Sequence, residues 1–419
     1  MSRAKILAVA FVLSLTIQSH AQSPSSIEVV KTLSGHTKSI LEIAFSPRGE
    51  LVAASSENGS VRLWSVATGE PLGPIIGPKN AEPAKLSWSG DARRLAITYR
   101  LKKSWELVVC EISSTQPPAI SQRFPVADFV EWSPDNRTFL AWDQQFKLKL
   151  WDAVTGHSTH TLNPEFSPNK RLNAFFVANG QRVVTGSLDS AVELWDATTG
   201  KLIAAYLPNM TYDGPRFRNP AVPLVSSDRR FFISGNRQVY EAASGKLLAS
   251  VHEEEGVPLS FSPSGETLLT IGNDDPNQRS SEIKLTLRPI SDGKELLTYQ
   301  VPDWIADIYW SPGGEKLAIV GYEFDTRVFD TATGRELGRP YDNCWPWQLF
   351  GSDGCEALRF SADGAVLLRE KQPIKLWNTT TASFSKELKN ARLPAVFSPT
   401  DRLLATRSED KKSVWLWRF

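Results

Sequence analysis

The feature that most constrains this chain is a short phrase that recurs at intervals of about 44 residues. The phrase consists of an aromatic residue, a Ser, and a turn that contains Gly or Asp. Clear copies begin at Phe45, Trp88, Trp132, Phe261, Trp310, Phe360 and Phe397, and weaker copies begin at Phe176 and Val225. A repeat of this length is typical of an array of similar structural units.

A second phrase follows most copies of the first. It is a strand-like segment that ends in a bulky residue before a polar turn with Gly, as in Leu63-Trp64 before Thr68-Gly69. The later bulky residues are Trp151, Trp195, Tyr240, Phe329, Trp377 and Trp417. Each unit therefore contains four short β-rich segments separated by turn residues, which predicts a four-stranded antiparallel sheet.

One such sheet cannot bury both of its faces, whereas sheets stacked around an axis can. The sequence thus predicts an all-β fold, a single closed β-propeller of four-stranded antiparallel blades. The anchors give nine blades. Eight is the alternative if one copy is irregular, and the unit from Val225 to Tyr240 is the weakest.

The phrase Leu194-Trp195-Asp196 before Gly200-Lys201, and the pair Gly35-His36 ahead of Phe45, resemble the WD-repeat (WD40) family. The resemblance covers about residues 27–419, with degenerate repeats. It implies a propeller whose loop rims and central channel bind proteins or peptides.

The resemblance also implies that a loop His, a strand Ser, a turn Asp and the Trp share hydrogen bonds within a blade. His36 and Trp64 match in unit one, where Asn58 stands in the Asp position, and Asp189 and Trp195 match in unit four, which lacks the His. The Trp position is also filled by Trp151, Trp377 and Trp417. We therefore expect such networks to be patchy.

The two ends of the chain predict how the ring closes. The last unit stops after its third strand, whereas residues 27–33 form a surplus strand ahead of Gly35. Pairing the two removes an exposed sheet edge, so this N-terminal strand is expected to complete the last blade. Simple alternation places Ile27, Val29, Lys31 and Leu33 on one face of that strand.

The first residues are typical of a secretory signal peptide. Arg3 and Lys5 precede an apolar run from Ile6 to Ile17, and small residues lie before a cleavage point near Ala21. We expect a signal peptide at 1–21, a short linker at 22–26 and the propeller at 27–419. The mature protein is then secreted or periplasmic, and no other segment is apolar enough to span a membrane.

Charge and cysteine content narrow the classes of partner. With 47 basic and 46 acidic residues the net charge is +1, which excludes the basic footprint of a nucleic-acid-binding protein. Cys344 and Cys355 could pair in an oxidising compartment, although such a pairing is not needed for folding. Cys110 lies in a strand-like segment, and we expect it to be buried as a small hydrophobic side chain. We expect a monomer.

No catalytic motif is present in the sequence. There is no phosphate-binding loop, no Gly-x-Ser-x-Gly nucleophile elbow and no His-Glu-x-x-His helix. His157 and His160 could touch a metal, but surface polarity is the simpler interpretation. We therefore predict no cofactor, no metal and no catalytic residue.

The function predicted is an exported, non-catalytic scaffold that binds a protein or peptide. Its binding face would comprise the loops before the first strands and those between the second and third strands. Candidate binding residues on these loops are Lys38, Arg100, Lys102, Lys103, Trp304, Trp345 and Trp347. The alternative is a propeller hydrolase or lyase with carboxylates, His or a metal converging at the channel mouth.

Overall fold

In a computed structural model, the protein is described for residues 27–78, 81–113, 116–126, 131–164, 173–186, 191–206, 224–234, 237–252, 255–272, 282–302, 305–321, 326–341 and 358–419. Within these ranges the chain forms β-strands and short 3₁₀ turns such as Ala178–Gly180. The strands make nine antiparallel four-stranded sheets, called blades here and numbered in chain order. The prediction of nine blades is confirmed, and the alternative of eight does not apply.

The first four blades each take four consecutive strands. Blade 1 contains β2 (Ile40–Phe45), β3 (Leu51–Ser56), β4 (Ser60–Ser65) and β5 (Pro71–Ile76). Blade 2 contains β6 (Glu82–Trp88), β7 (Arg94–Arg100), β8 (Trp105–Glu111) and β9 (Ala119–Phe124). Blade 3 contains β10 (Glu131–Trp132), β11 (Thr138–Trp142), β12 (Leu148–Asp152) and β13 (Ser158–Leu162). Blade 4 contains β14 (Asn173–Val177), β15 (Arg182–Gly186), β16 (Val192–Asp196) and β17 (Leu202–Tyr206).

Blades 5 to 8 follow the same order. Blade 5 contains β18 (Leu224–Val225), β19 (Phe231–Ser234), β20 (Gln238–Glu241) and β21 (Leu247–Ser250). Blade 6 contains β22 (Val257–Phe261), β23 (Thr267–Ile271), β24 (Glu282–Pro289) and β25 (Leu297–Pro302). Blade 7 contains β26 (Ile305–Trp310), β27 (Lys316–Gly321), β28 (Thr326–Asp330) and β29 (Glu336–Tyr341). Blade 8 contains β30 (Leu358–Phe360), β31 (Val366–Arg369), β32 (Ile374–Asn378) and β33 (Ser383–Leu388).

Blade 9 is built from both ends of the described chain. It contains β34 (Arg392–Phe397), β35 (Leu403–Arg407), β36 (Val414–Arg418) and, as its outermost strand, the N-terminal β1 (Glu28–Leu33). β1 pairs antiparallel with β36, with Leu33 opposite Val414. The predicted completion of the last blade by the N-terminal strand is therefore confirmed.

A β-bulge marks the pairing of the third and outermost strands. The register shifts between Leu63 and Trp64 in blade 1, and an equivalent shift occurs in every described blade except the sixth. β1 carries the same irregularity opposite Leu416 and Trp417. It thus has the geometry of the other outermost strands.

This bulge corrects the predicted face of β1. The extra residue between Val29 and Lys31 interrupts simple alternation, because a bulge sets two residues opposite one. Val30 consequently packs beside the fully buried Leu33, and Val29 is 38% exposed. The expectation that Val29 shares the buried face was wrong.

The first phrase is regular because a buried Ser hydroxyl ties the turn between the first and second strands. In blade 2, Ser89 Oγ donates to Asp91 Oδ1 at 2.6 Å and accepts the N–H of Arg94 at 2.9 Å. The same arrangement joins Ser133 to Asp135 and Thr138, Ser226 to Asp228 and Phe231, and Ser361 to Asp363 and Val366. Such Ser and Asp bonds favour turns over continued strands. The weak copy at Val225 therefore forms the same turn as the clear copies.

The hydrophobic core lies between neighbouring blades. One cluster joins Leu33, Leu403 and Leu416 of blade 9 to Ile40 and Trp64 of blade 1. A further cluster joins blades 1 and 2 and includes Cys110, which is fully buried where other blades place the third-strand aromatic residue. Burial raises the pKa of the Cys110 thiol to about 12. Each blade thus buries its faces only through its neighbours.

Polar bonds also connect consecutive blades, both near the axis and at the rim. Near the axis the indole N–H groups of Trp88, Trp132 and Trp310 donate to Ala44 O at 3.4 Å, Ser87 O at 3.1 Å and Ser260 Oγ at 2.6 Å. Each acceptor directly precedes the first-phrase aromatic residue of the preceding blade. These three Trp side chains are half-buried and pack against the hydrophobic clusters at blade interfaces.

At the rim, outermost strands bond to the next blade's turn between third and fourth strands. The donors and carbonyl acceptors are Lys31 with Ala67, Gln122 with Val154, His160 with Thr198 and Tyr206 with Gly245. Lys31 belongs to β1, so the N-terminal strand holds blade 1 as other outermost strands hold their successors. His160 donates a structural bond here.

Candidate functional site

The first strands of the blades surround the axis of the ring. Contacts join the first strands of adjacent blades, and β2 contacts both β6 of blade 2 and β34 of blade 9. Side chains on the inner faces of these strands therefore line a central channel.

A cavity along the channel lies between blades 8, 9 and 1 and has a volume of about 730 Å³. We call it the channel groove. Its apolar wall comes from Leu41, Leu393 and Val396, and its charged wall from Glu42, Arg359, Glu370 and Arg407. The groove thus combines apolar surface with a few fixed charges, a composition typical of ligand sites.

The basic side chains of the groove are held by other groups. Arg359 forms an ion pair with Glu370 of the same blade. Arg407, at the end of the second strand of blade 9, donates from Nη1 to the carbonyl oxygen of Ile40 at 2.7 Å. Its guanidinium therefore bridges blades 9 and 1 where the ring closes.

Glu42 is the unusual acid of the groove. Its Oε2 accepts the backbone N–H of Leu86 at 2.7 Å, which ties blade 1 to blade 2. Burial raises the pKa of Glu42 to about 7, although this bond and the nearby Lys85 oppose the shift. Its carboxyl group can therefore gain or lose a proton near neutral pH.

A second carboxyl group with a raised pKa lies on blade 3. Burial raises the pKa of Glu131 to about 7, opposed by Arg229 and a backbone bond from Phe176. Arg229 Nη2 lies 3.2 Å from Glu131 Oε1, and its guanidinium lies 4.9 Å from the Phe175 ring centre. This set spans blades 3, 4 and 5 and stabilises the inner wall.

Sequence reasoning missed the groove residues Glu42, Arg359, Glu370 and Arg407. A signal was available for two of them. Glu42 and Arg359 lie three positions and one position before a first-phrase aromatic residue, on a strand that begins near the axis. The contributions of Glu370 and Arg407 come from second strands and depend on how distant blades meet.

Four predicted binding residues lie at the end of the ring where the second strands finish. Lys38 is exposed on the loop before β2, and Lys102 and Lys103 are exposed between β7 and β8. Arg100 forms a 2.5 Å ion pair with Glu82 of its own blade. Because all four belong to blades 1 and 2, they form one sector of that face.

The other predicted site residues lie outside the described residues: Trp304, Trp345, Trp347, Asp189, Cys344 and Cys355. Residues 1–26, with the predicted signal peptide, are outside them as well. These predictions therefore stay predictions.

The family's hydrogen-bonded sets take different forms in different blades. In blade 1, His36 contacts Ala54 O and Ser60 Oγ, and the Trp64 indole donates to Ser34 O at 3.1 Å. Burial lowers the pKa of His36 to about 4, so it is neutral at physiological pH.

Elsewhere the third-strand Trp bonds to a strand Thr or lacks a partner. Trp195 donates to Thr185 and Trp417 to Thr406, both at 2.9 Å. Trp151 Nε1 is buried without a partner among the described residues. Trp377 is 3% exposed in the core. Packing therefore holds the blades where these sets are incomplete.

Within the described part of the chain, no group of three or more His, Cys, Asp and Glu side chains could hold a metal ion. Among the same residues, no helix has the length and apolar character needed to cross a bilayer.

The geometry agrees with comparisons to known proteins. Residues 27–65 match the family model described as "WD domain, G-beta repeat". The chain is similar to a guanine nucleotide-binding protein subunit beta of Solanum tuberosum, at 22% identity over 82% of this chain and 81% of the relative. It is also similar to protein tipD of Dictyostelium discoideum, at 21% identity over 76% of this chain and 44% of the relative.

The family-model match and the named relatives support a WD40 β-propeller family for this chain. A rice guanine nucleotide-binding protein subunit beta matches at 21% identity, over 50% of this chain and 56% of the relative. The matched part of this WD40 propeller spans less than two thirds of the tipD and rice proteins.

Two solved structures cover nearly the whole chain. The Cps50 (Swd1) β-propeller domain of Myceliophteria thermophila covers 94% of it and 99% of that domain, at 12% identity and a TM-score of 0.47. The computationally designed Ika8 protein covers 93% of it and 98% of the design, at 16% identity and a TM-score of 0.49.

Glu42→Gln should stabilise the propeller in a pH-dependent way. Folded Glu42 keeps its proton up to about pH 7 and the unfolded chain releases it near 4.5, so the wild type loses stability as pH rises between them. Gln still accepts the Leu86 N–H and carries no charge. Denaturant unfolding should show a gain of about 1 to 3 kcal/mol at about pH 8 and almost none at about pH 4.

Glu70→Gln is the control, because this exposed carboxylate lies in water in both states. A Glu42→Gln gain that is the same at both pH values would contradict the raised pKa.

Proposed function

We propose that this WD40 propeller is exported and acts as a non-catalytic scaffold that binds an extended segment of a partner protein along the channel groove. The observation that carries the proposal is the composition of the groove. An apolar wall and paired charges at the ring closure suit side chains and backbone of a peptide better than a chemical reaction.

The apolar wall supplies the attraction. Leu41 is 38% exposed on the first strand of blade 1, and Leu393 and Val396 face the same cavity from blade 9. An apolar partner side chain seated here would remove these surfaces from water, which is the main favourable term in most protein association.

The charged wall supplies orientation. Arg359 and Glu370 offer one positive and one negative group to the same cavity. Such a pair can exchange part of its mutual bond for the carbonyl and N–H groups of an extended chain. Lys38, Lys102 and Lys103 extend the proposed surface onto the face of blades 1 and 2.

The chemistry of the groove does not favour the hydrolase or lyase alternative. Its described lining includes the carboxyl groups of Glu42 and Glu370 and no His. Glu370 is ion-paired, and Glu42 is engaged by a backbone N–H. A general acid–base pair needs free groups that reach a common substrate atom.

The names of the relatives support the proposal that this protein is a binding scaffold. They include guanine nucleotide-binding protein subunits and a serine-threonine kinase receptor-associated protein, the latter 24% identical over 41% of this chain. These names describe members of protein assemblies.

Export predicts a specific mature product. Cleavage after Ala21 would leave a chain that begins at Gln22, because small residues precede that bond. Expression of the full chain in a secretion-competent bacterium, followed by intact-mass measurement, should find this product outside the cytoplasm. Recovery only of the uncleaved chain from the cytoplasm would contradict export.

Binding in the groove predicts that Leu41→Ser and Arg359→Gln each weaken peptide capture. A random peptide library displayed on phage would be selected on the folded wild type, and the best synthetic peptide titrated by calorimetry. Each change should reduce affinity about tenfold, since it removes an apolar contact or a charged donor. Leu202→Ser is the matched control, because this Leu is 48% exposed on the outermost strand of blade 4.

Equal affinity of Leu41→Ser, Arg359→Gln and the wild type for the selected peptide would place binding elsewhere and refute the groove. Mass spectrometry of the recovered peptide separates the alternative, since cleavage or modification would indicate an enzyme.

A further inference from the structure

A second cavity, of about 1080 Å³, lies at the opposite end of the ring from Lys38, where blade 9 meets blades 1 and 2. We call it the seam pocket. It is lined by the turns between first and second strands at 48–50, 91–93 and 401–403, and by Val30 and Lys31 of β1. The N-terminal strand that closes the ring therefore forms part of the wall of the seam pocket.

We propose that the seam pocket binds an acidic peptide segment of a partner protein through the guanidinium groups of Arg48, Arg93 and Arg418. All three residues are exposed and line the pocket. The proposal does not depend on the channel groove, which lies between blades 8, 9 and 1 and shares no lining residue with the seam pocket.

The three guanidinium groups are available to a ligand. Within the described chain, the side chains of Arg48, Arg93 and Arg418 make no hydrogen bond or ion pair. Neighbouring arginines are already engaged. Arg94 bonds to Glu111 and to the carbonyl of Asn136, and Arg402 pairs with Asp363. Free guanidinium groups around one cavity favour carboxylates, which they can bind through two parallel bonds.

The acids of the seam pocket offset this charge only in part. Asp91 Oδ1 accepts bonds from Ser89 Oγ and from the N–H of Arg93, which fixes the turn. Asp401 accepts from Thr400 at 3.0 Å. Glu50 is the remaining acid of the lining. The pocket has more basic than acidic side chains, and two of its three acids already serve its turns.

The floor of the seam pocket is apolar, which distinguishes a peptide from a free anion. Leu51, Leu72 and Ile112 are half-buried there. The Arg402 guanidinium carbon lies 5.6 Å from the centre of the Phe419 ring. A small inorganic anion could not use this surface. An acidic segment with apolar residues would satisfy the arginines and cover the floor together.

The test uses a short fluorescein-labelled peptide that alternates Asp and Glu with Leu, and the same peptide with Asn and Gln in place of the acids. Fluorescence anisotropy with the mature protein at low salt should show saturable binding of the acidic peptide. The amide peptide should bind at least about tenfold more weakly, because its bonds to the arginines lack charge.

Each of three variants should bind the acidic peptide about three- to tenfold more weakly than the wild type does. The variants are Arg48→Gln, Arg93→Gln and Arg418→Gln. Arg137→Gln is the matched control. Arg137 holds the turn position in blade 3 that Arg93 holds in blade 2. Its backbone N–H donates to Asp135 Oδ1 at 3.0 Å, as the N–H of Arg93 donates to Asp91 Oδ1. Arg137 does not line the seam pocket. Arg137→Gln should bind the acidic peptide as the wild type does.

Three results would overturn the proposal. They are equal binding of the acidic and amide peptides by the wild type, wild-type affinity in all three pocket variants, and full displacement of the peptide by about 1 mM inorganic phosphate, which would indicate a small-anion site. The first and third need no variant, so misfolding of a variant cannot hide the answer. Failure of groove binding alone leaves these results unchanged.

Discussion

The antiparallel pairing between β1 and β36, with Glu28 opposite Arg418 and Leu33 opposite Val414, closes the ring. Without it blade 9 would end in an unpaired edge, and the core cluster shared with blade 1 would lose Leu33. Burial of one Leu side chain contributes about 2 kcal/mol. The greater consequence is geometric, because both the channel groove and the seam pocket lie where blade 9 meets blade 1.

The blades are held together mainly by what lies between them. Apolar clusters join neighbouring blades, while indole bonds near the axis and side-chain-to-turn bonds at the rim set their spacing. The hydrogen-bonded sets inside blades are uneven, since Trp195 and Trp417 reach a Thr and buried Trp151 does not. A polar group buried without a partner costs free energy. The ring therefore tolerates eroded WD motifs so long as its interfaces stay packed.

The sequence was sufficient to predict the ring because its signals are local. The Ser and Asp of each first phrase act within one turn, so even the weak copy at Val225 could be counted. The bulge in β1 was missed, because it depends on the register imposed by Leu416 and Trp417 at the other end of the chain. The candidate sites were missed for the same reason. Arg407 meets Ile40, and Arg418 shares a pocket with Arg48, only after the ring closes.

Amide hydrogen exchange in β1 tests ring closure most directly. If β1 is the fourth strand of blade 9, the amides of β1 that face β36 should exchange as slowly as those that join β36 to β35. Mass-spectrometric measurement on the native protein resolves these segments. Exchange of residues 28–33 at the rate of an unstructured peptide, with β34 to β36 still protected, would contradict the closed ring and both sites built on it.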